Sequence, residues 1–246
     1  MVSILKKEFR SFFENSTGYI VIGIFLIATG LFLWVIPGPF NVLDAGYANV
    51  DGLFYLAPWL FLFLCPAVTM RLFAEEKQSG TWELLKTKPL SDWQIVLGKY
   101  FAGLILVVLA LVPTILSYFS VYFLAQPVGN VDSGQFWGSF IGLVFLAVVY
   151  TAIGIFSSSL TQNQIIAFIT ALTLCFVFYF GFDLISNFFS KGTQIQFIEN
   201  LGIHSHYKSM SRGVIDSSDL LYFLILSFVF VWSTTLKIRH ENNYKK

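Results

Sequence analysis

Charge is what this 246-residue chain has least of. Asp, Glu, Lys and Arg make up 12% of it, about half the ~25% usual in a soluble domain. Hydrophobic residues reach 56%, and 28 positions are Phe. That balance cannot cover a soluble surface, so the excess apolar area needs lipid. A net charge of +1 carries no electrostatic footprint for nucleic acid, which is excluded as a partner. Cysteine is nearly absent. Cys65 and Cys175 both lie in apolar runs and form neither a disulfide framework nor a metal motif; packing or lipid-facing thiols are expected. Catalytic signatures are missing as well. The Gly98-Lys99-Tyr100 step lacks the upstream glycine and the magnesium-binding hydroxyl of a phosphate loop, so the chain is not expected to hydrolyse ATP by itself. It has no G-x-S-x-G elbow and no H-E-x-x-H pair. His204-x-His206 has no third ligand nearby. No catalytic, cofactor-binding or metal residue is therefore expected.

Long apolar runs take their place. Six stand out, at 19–36, 53–70, 95–124, 136–158, 165–185 and 220–236. Each nears or exceeds the ~20 residues a helix needs to cross ~30 Å of hydrocarbon. They are continuous rather than alternating, which favours helices over barrel strands. The expected class is all-α, a polytopic membrane protein with six transmembrane helices. Pro58, Pro66 and Pro113 sit inside spans, where proline kinks a helix without ending it. The third run is long enough to tilt or to protrude. Pro37-Gly38-Pro39 follows the first run where a cleaved leader would place small residues, so that run is expected to be retained. Between Tyr100 and Ser190 the only charges are Asp132 and Asp183, too few for an ion-coupling relay; Asp183, near a span end, can reach the headgroups.

Twelve of the fifteen Lys and Arg residues fall in the amino terminus, the 71–99 loop, the fourth loop and the carboxyl terminus. The other three connections hold Lys191, Lys208 and Arg212. This bias places both termini and the 71–99 loop in the cytoplasm, a topology that an even number of spans satisfies. Asn15-Ser16-Thr17 then faces away from glycosylation.

Residues 2–16 carry helical periodicity, with Val2, Leu5, Phe9, Phe12 and Phe13 on one face and Lys6, Lys7, Arg10 and Glu14 on the other. This pattern predicts an amphipathic helix lying in the interface; the alternative is a charged tail. In the 71–99 loop, 74–79 is polar and Gly80 offers a break. Thr81 can cap a short helix over 82–87, favoured at its start by Glu83 and ended by Pro89. Ser91 can cap the helix that enters the third span. Two readings stay open from these residues: a rigid projection that passes motion from a soluble partner to the spans, or a solvated connection. The external loop 186–219 is too long to lack structure. It is expected to hold short helices, with Asp216 or Ser217 capping the sixth span.

The stretch EEKQSGTWELLKTKPLSDWQIVLGK resembles the cytoplasmic loop of type-2 ABC-transporter permeases. The family's ordered pattern is matched by Glu75 and Glu76, Gly80 and Thr81, Glu83-Leu84-Leu85, Pro89 and Ser91, and Gly98-Lys99. The basic amphipathic start and six spans fit as well, so the likeness covers the whole chain as one permease domain, 1–246. Three further segments, 40–77, 94–103 and 212–220, resemble permeases of the gliding-motility ABC transporters of Bacteroidetes. The resemblance implies an inner-membrane subunit with a coupling helix. It assigns ATPase docking to Glu75, Glu76, Gly80, Thr81, Trp82, Glu83, Leu84, Leu85, Pro89 and Ser91. Its implied partners are a separate ABC ATPase, which binds the ATP, and a second permease copy or companion membrane subunit within the lipid bilayer. The rival functions are a force-transmitting subunit that moves no cargo and an ion-coupled carrier.

Overall fold

The computed structural model describes residues 1–189 and 192–244; Ser190, Lys191, Lys245 and Lys246 lie outside the described residues. The chain is 79% helical, with no strand among the described residues. Among the described residues, thirteen α-helices follow in chain order. The first five are α1 (Val2–Glu14), α2 (Ser16–Trp34), α3 (Asp51–Thr69), α4 (Arg71–Gln78) and α5 (Thr81–Lys86). Next come α6 (Asp92–Leu111), α7 (Ile115–Leu124), α8 (Ser133–Leu160) and α9 (Gln164–Phe176). The chain ends with α10 (Phe182–Ser186), α11 (Gly192–Glu199), α12 (Ile203–Met210) and α13 (Ser217–Tyr244).

Six helical stretches are long and apolar enough to cross a membrane: Ser16–Trp34, Asp51–Gln78, Asp92–Leu124, Ser133–Leu160, Gln164–Ser186 and Ser217–Glu241. The chain is thus an all-α, multi-pass membrane protein. α8 lies at the centre, against α3, α6, α9 and α13. Glycines let it approach its neighbours closely. A Cβ on Gly154 would stand 2.0 Å from Thr69 Oγ1 of α3. A Cβ on Gly103 of α6 would meet Thr151 of α8 at 3.2 Å. The second and fourth spans are 67% buried, whereas the first and fifth are 22% buried and form the lipid-facing side.

Two spans depart from the simple pattern. The third is a broken helix: a 3-10 turn at Val112–Thr114 separates α6 from α7. Pro113 removes a backbone donor there, and Thr114 Oγ1 donates to Leu111 O at 2.7 Å. The fifth contains a π-helical turn at Val177–Gly181, for which the sequence carries no signal. The external loop folds back onto the bundle through α12, which buries Ile203, Tyr207 and Met210; the Tyr207 hydroxyl donates to Phe54 O at 2.7 Å. Asp216 accepts from Ser218 N at 3.1 Å and caps α13.

The contact at Gly154 has a measurable consequence. Gly154→Val forces α8 from α3, and the thermal unfolding midpoint in detergent should fall by the equivalent of about 1–3 kcal/mol. Gly23→Ala, with nothing within 4 Å of the added carbon, should leave it no lower.

Candidate functional site

The 71–99 segment projects from one end of the bundle as a helical hairpin. Residues 74–79, read as polar, continue the second span as α4 up to the break expected at Gly80. A single turn residue, Met70, separates α3 from α4. Ser158 of α8 satisfies the backbone there: its hydroxyl donates to Met70 O at 2.8 Å and accepts from Phe73 N at 3.0 Å and Ala74 N at 3.1 Å. A hydroxyl with one donor and two acceptor sites is thereby fully used.

Gly80 then turns the chain. Its φ of 73° lies in the left-handed region, which glycine enters without steric cost. Gly80 occupies the N-cap of α5, and Thr81, expected to cap, is its first helical residue. The Thr81 hydroxyl lies instead against Ser79 Oγ at 2.9 Å. The helix spans Thr81–Lys86 rather than 82–87. Beyond Pro89, Ser91 forms a capping box with Gln94 that starts α6, as an N-cap serine with a Gln three residues on does.

A cluster of charges fastens this hairpin. Lys99, on α6, has no exposed side-chain surface. Its Nζ donates to Glu8 Oε1 of α1 at 2.7 Å and to Leu72 O at 2.5 Å, and lies 2.9 Å from Glu76 Oε2 of α4. Lys7 of α1 bonds the other Glu76 oxygen. Two ammonium groups and two carboxylates thus join three elements, as a buried charge must be paired to persist. The neighbouring residues of α4 reach elsewhere. Arg71 donates to Thr17 at the head of α2 at 2.7 Å and to Glu75 at 2.9 Å. Lys77 donates to Ser159 O of α8 at 2.5 Å and pairs with Glu241 of α13 at 2.9 Å.

The inward face of α1 keeps Phe9, Phe12 and Phe13 of the expected apolar face but differs at its start. Ile4, Glu8 and Phe12 point at the protein, spaced by four, and Val2 is exposed. The sequence pattern assigned Val2 to the apolar face because it scored hydrophobicity alone; the real seam is set by the Glu8–Lys99 pair. Gly98 admits this contact, since a Cβ there would stand 3.0 Å from Ile4 Cβ.

The residues assigned to docking divide in two. Glu76 and Trp82 are buried; Trp82 packs edge-on against Phe73, ring centroids 5.7 Å apart. Gly80, Thr81, Glu83, Leu84, Pro89 and Ser91 are exposed, with Glu75 and Leu85 intermediate. Leu84 is 67% exposed at the hairpin's tip. Between α1 and the hairpin runs a groove of about 390 Å³, lined in part by Lys7, Glu8, Glu75, Leu84 and Lys88. The arrangement offers a mixed apolar and charged surface on a braced support. Lys99 and Glu8 were missed as parts of this site. The available signal was a lysine well inside an apolar helix, which needs an acid from another element.

On the other side, the two histidines act separately. His204 Nδ1 pairs with Asp183. His206 Nδ1 meets Asp219 Oδ1 at 2.7 Å and its Nε2 meets Asn200 O at 2.9 Å. They tie α12 to α10 and α13.

Removing one member of the cluster leaves buried charges uncompensated. Lys99→Met should destabilise the protein by about 3–5 kcal/mol, read as a lower unfolding midpoint in detergent. Adding Glu76→Gln should recover part of the loss. Burial opposes the charge on Lys7, but its hydrogen bond to Glu76 and the nearby charges of Glu8 and Glu76 outweigh it and raise its pKa above 10.5. A raised lysine contributes its full stabilisation below its unfolded value. Its contribution should hold up to about pH 10.5 and disappear as pH rises further, and Lys7→Met should abolish that alkaline loss.

Residues 53–237, three quarters of the chain, match the family model described as ABC-2 family transporter protein. No curated protein matches the chain. The matched region runs from the start of the second span to the end of the sixth and includes the whole hairpin. On that match the chain belongs to the ABC-2 transporter family, as one of its membrane-spanning permeases.

Proposed function

We propose that this permease is driven by a separate ATPase subunit that docks on the α4–α5 hairpin, with ATP bound and hydrolysed only in that partner. The observation that carries the reading is the exposed tip of α5, Thr81, Glu83 and Leu84, on a support tied to α1, α2, α6, α8 and α13. Closure of the ATPase subunits displaces the hairpin. Because α4 continues the second span and Ser91 opens the third, both spans rock with it, a switch between two packings of the bundle. Glu76 and Trp82 act inside this device as braces rather than as contact surface.

In this reading both termini and the hairpin face the cytoplasm of a bacterial inner membrane, as the charge bias requires. A second copy or companion membrane subunit completes the pathway. The likeness of 40–77, 94–103 and 212–220 supports a place in a gliding-motility transporter.

Leu84→Asp tests the docking. The variant should insert normally yet lose the ATPase when the complex is purified from native membranes in mild detergent. Undiminished recovery of the ATPase would refute the hairpin as the docking element.

A further inference from the structure

Beside the hairpin, a mainly apolar cavity of about 280 Å³ with a polar and charged rim opens where four elements meet. Asn15 and Thr17 come from the α1–α2 junction, Arg71 and Glu75 from α4, and Gln164 from the start of α9. A second cavity of about 270 Å³ lies directly below, between α2, α3 and α9. Val21 and Ala67 line both, so the two form one cleft. The lower part is apolar. Phe25 and Leu64, each 3% exposed, make its floor, and Ile24 and Phe63, 63% and 56% exposed, make its rim.

The length of the cleft is that of one lipid leaflet. Along α2 it runs from Thr17 to Ala28, and along α3–α4 from Arg71 to Leu60. Each path is eleven residues, about 16 Å at 1.5 Å per residue, or half of the ~30 Å hydrocarbon core. The polar end carries opposite charges side by side: the Arg71 guanidinium donates to Glu75 at 2.9 Å and to Thr17 at 2.7 Å.

We propose that the cleft binds one phospholipid, with a primary-ammonium headgroup, from the leaflet on the α1 side. Its phosphate sits on the Arg71 guanidinium, in the planar donor geometry that suits phosphate. Its ammonium sits on the half-exposed Glu75 carboxylate. One acyl chain lies over Phe25 and Leu64. An anionic headgroup satisfies Arg71 but meets Glu75 unfavourably, and a trimethylated ammonium cannot donate to Glu75.

The test is native mass spectrometry of the delipidated protein in detergent, titrated with phosphatidylethanolamine, phosphatidylglycerol and phosphatidylcholine of the same chains. One phosphatidylethanolamine should bind, about tenfold more tightly than either of the others. Glu75→Gln should erase the preference, and Arg71→Gln should weaken all three lipids alike. Ala67→Phe, at the junction of the two cavities, should remove the bound lipid with helix content and monodispersity unchanged. Equal affinity for the three lipids, preference for phosphatidylglycerol, or an Ile24→Cys crosslink between two copies that expels the lipid would each overturn the assignment. The ranking of lipids on the unaltered protein decides the matter even where a variant fails to fold.

Discussion

A lysine ammonium with no exposed surface is the constraint from which one end of this protein is built. Lys99 lies in the third span's helix, where no water shields it, and an unpaired charge there is costly enough to be forbidden in practice. Its two carboxylates come from different elements, Glu8 on α1 and Glu76 on α4. The amino-terminal helix is therefore held against the bundle. Gly98 leaves the room that this approach needs, and Lys7 closes the cluster by holding Glu76 from its other side.

The rest of that end follows from the same short helix. In α4, Arg71 reaches α2, Glu76 reaches α1 and α6, and Lys77 reaches α8 and α13. Residues that look like a solvated charged loop in one dimension are spent on interhelical bonds in three. What stays exposed runs from the end of α4 through α5 to the start of α6. A hairpin braced in this way moves with the second and third spans rather than independently of them, which is what a transmission element requires. The first and fifth spans are the least buried of the six within the chain.

The apolar runs made the six crossings legible, because hydrophobic length is a local property. Ser91 as a cap and Pro89 as a stop were legible for the same reason. Other features were hidden by their dependence on distant partners. The polar segment 74–79 is helical because Ser158, Lys7 and Lys99 satisfy it from other helices, and the inward seam of α1 contains Glu8 because Lys99 is opposite. Trp82, in a motif whose likeness suggested docking, turns inward because Phe73 offers a ring. His204 and His206 form a suggestive pair in sequence, yet their carboxylates lie on two different elements. The π-helical turn at Val177–Gly181 carries no residue signature at all.

The most direct measurement is the distance between spin labels at Ser3→Cys on α1 and Thr87→Cys beyond α5, both exposed positions, with the protein in lipid nanodiscs; Cys65 and Cys175 are buried and do not compete for label. One narrow distance distribution is expected for the otherwise unaltered protein, and a broad one once Lys99→Met is added. A broad distribution with Lys99 in place, or one that Lys99→Met leaves unchanged, would contradict the claim that this buried lysine holds the amino-terminal helix and the hairpin as one body.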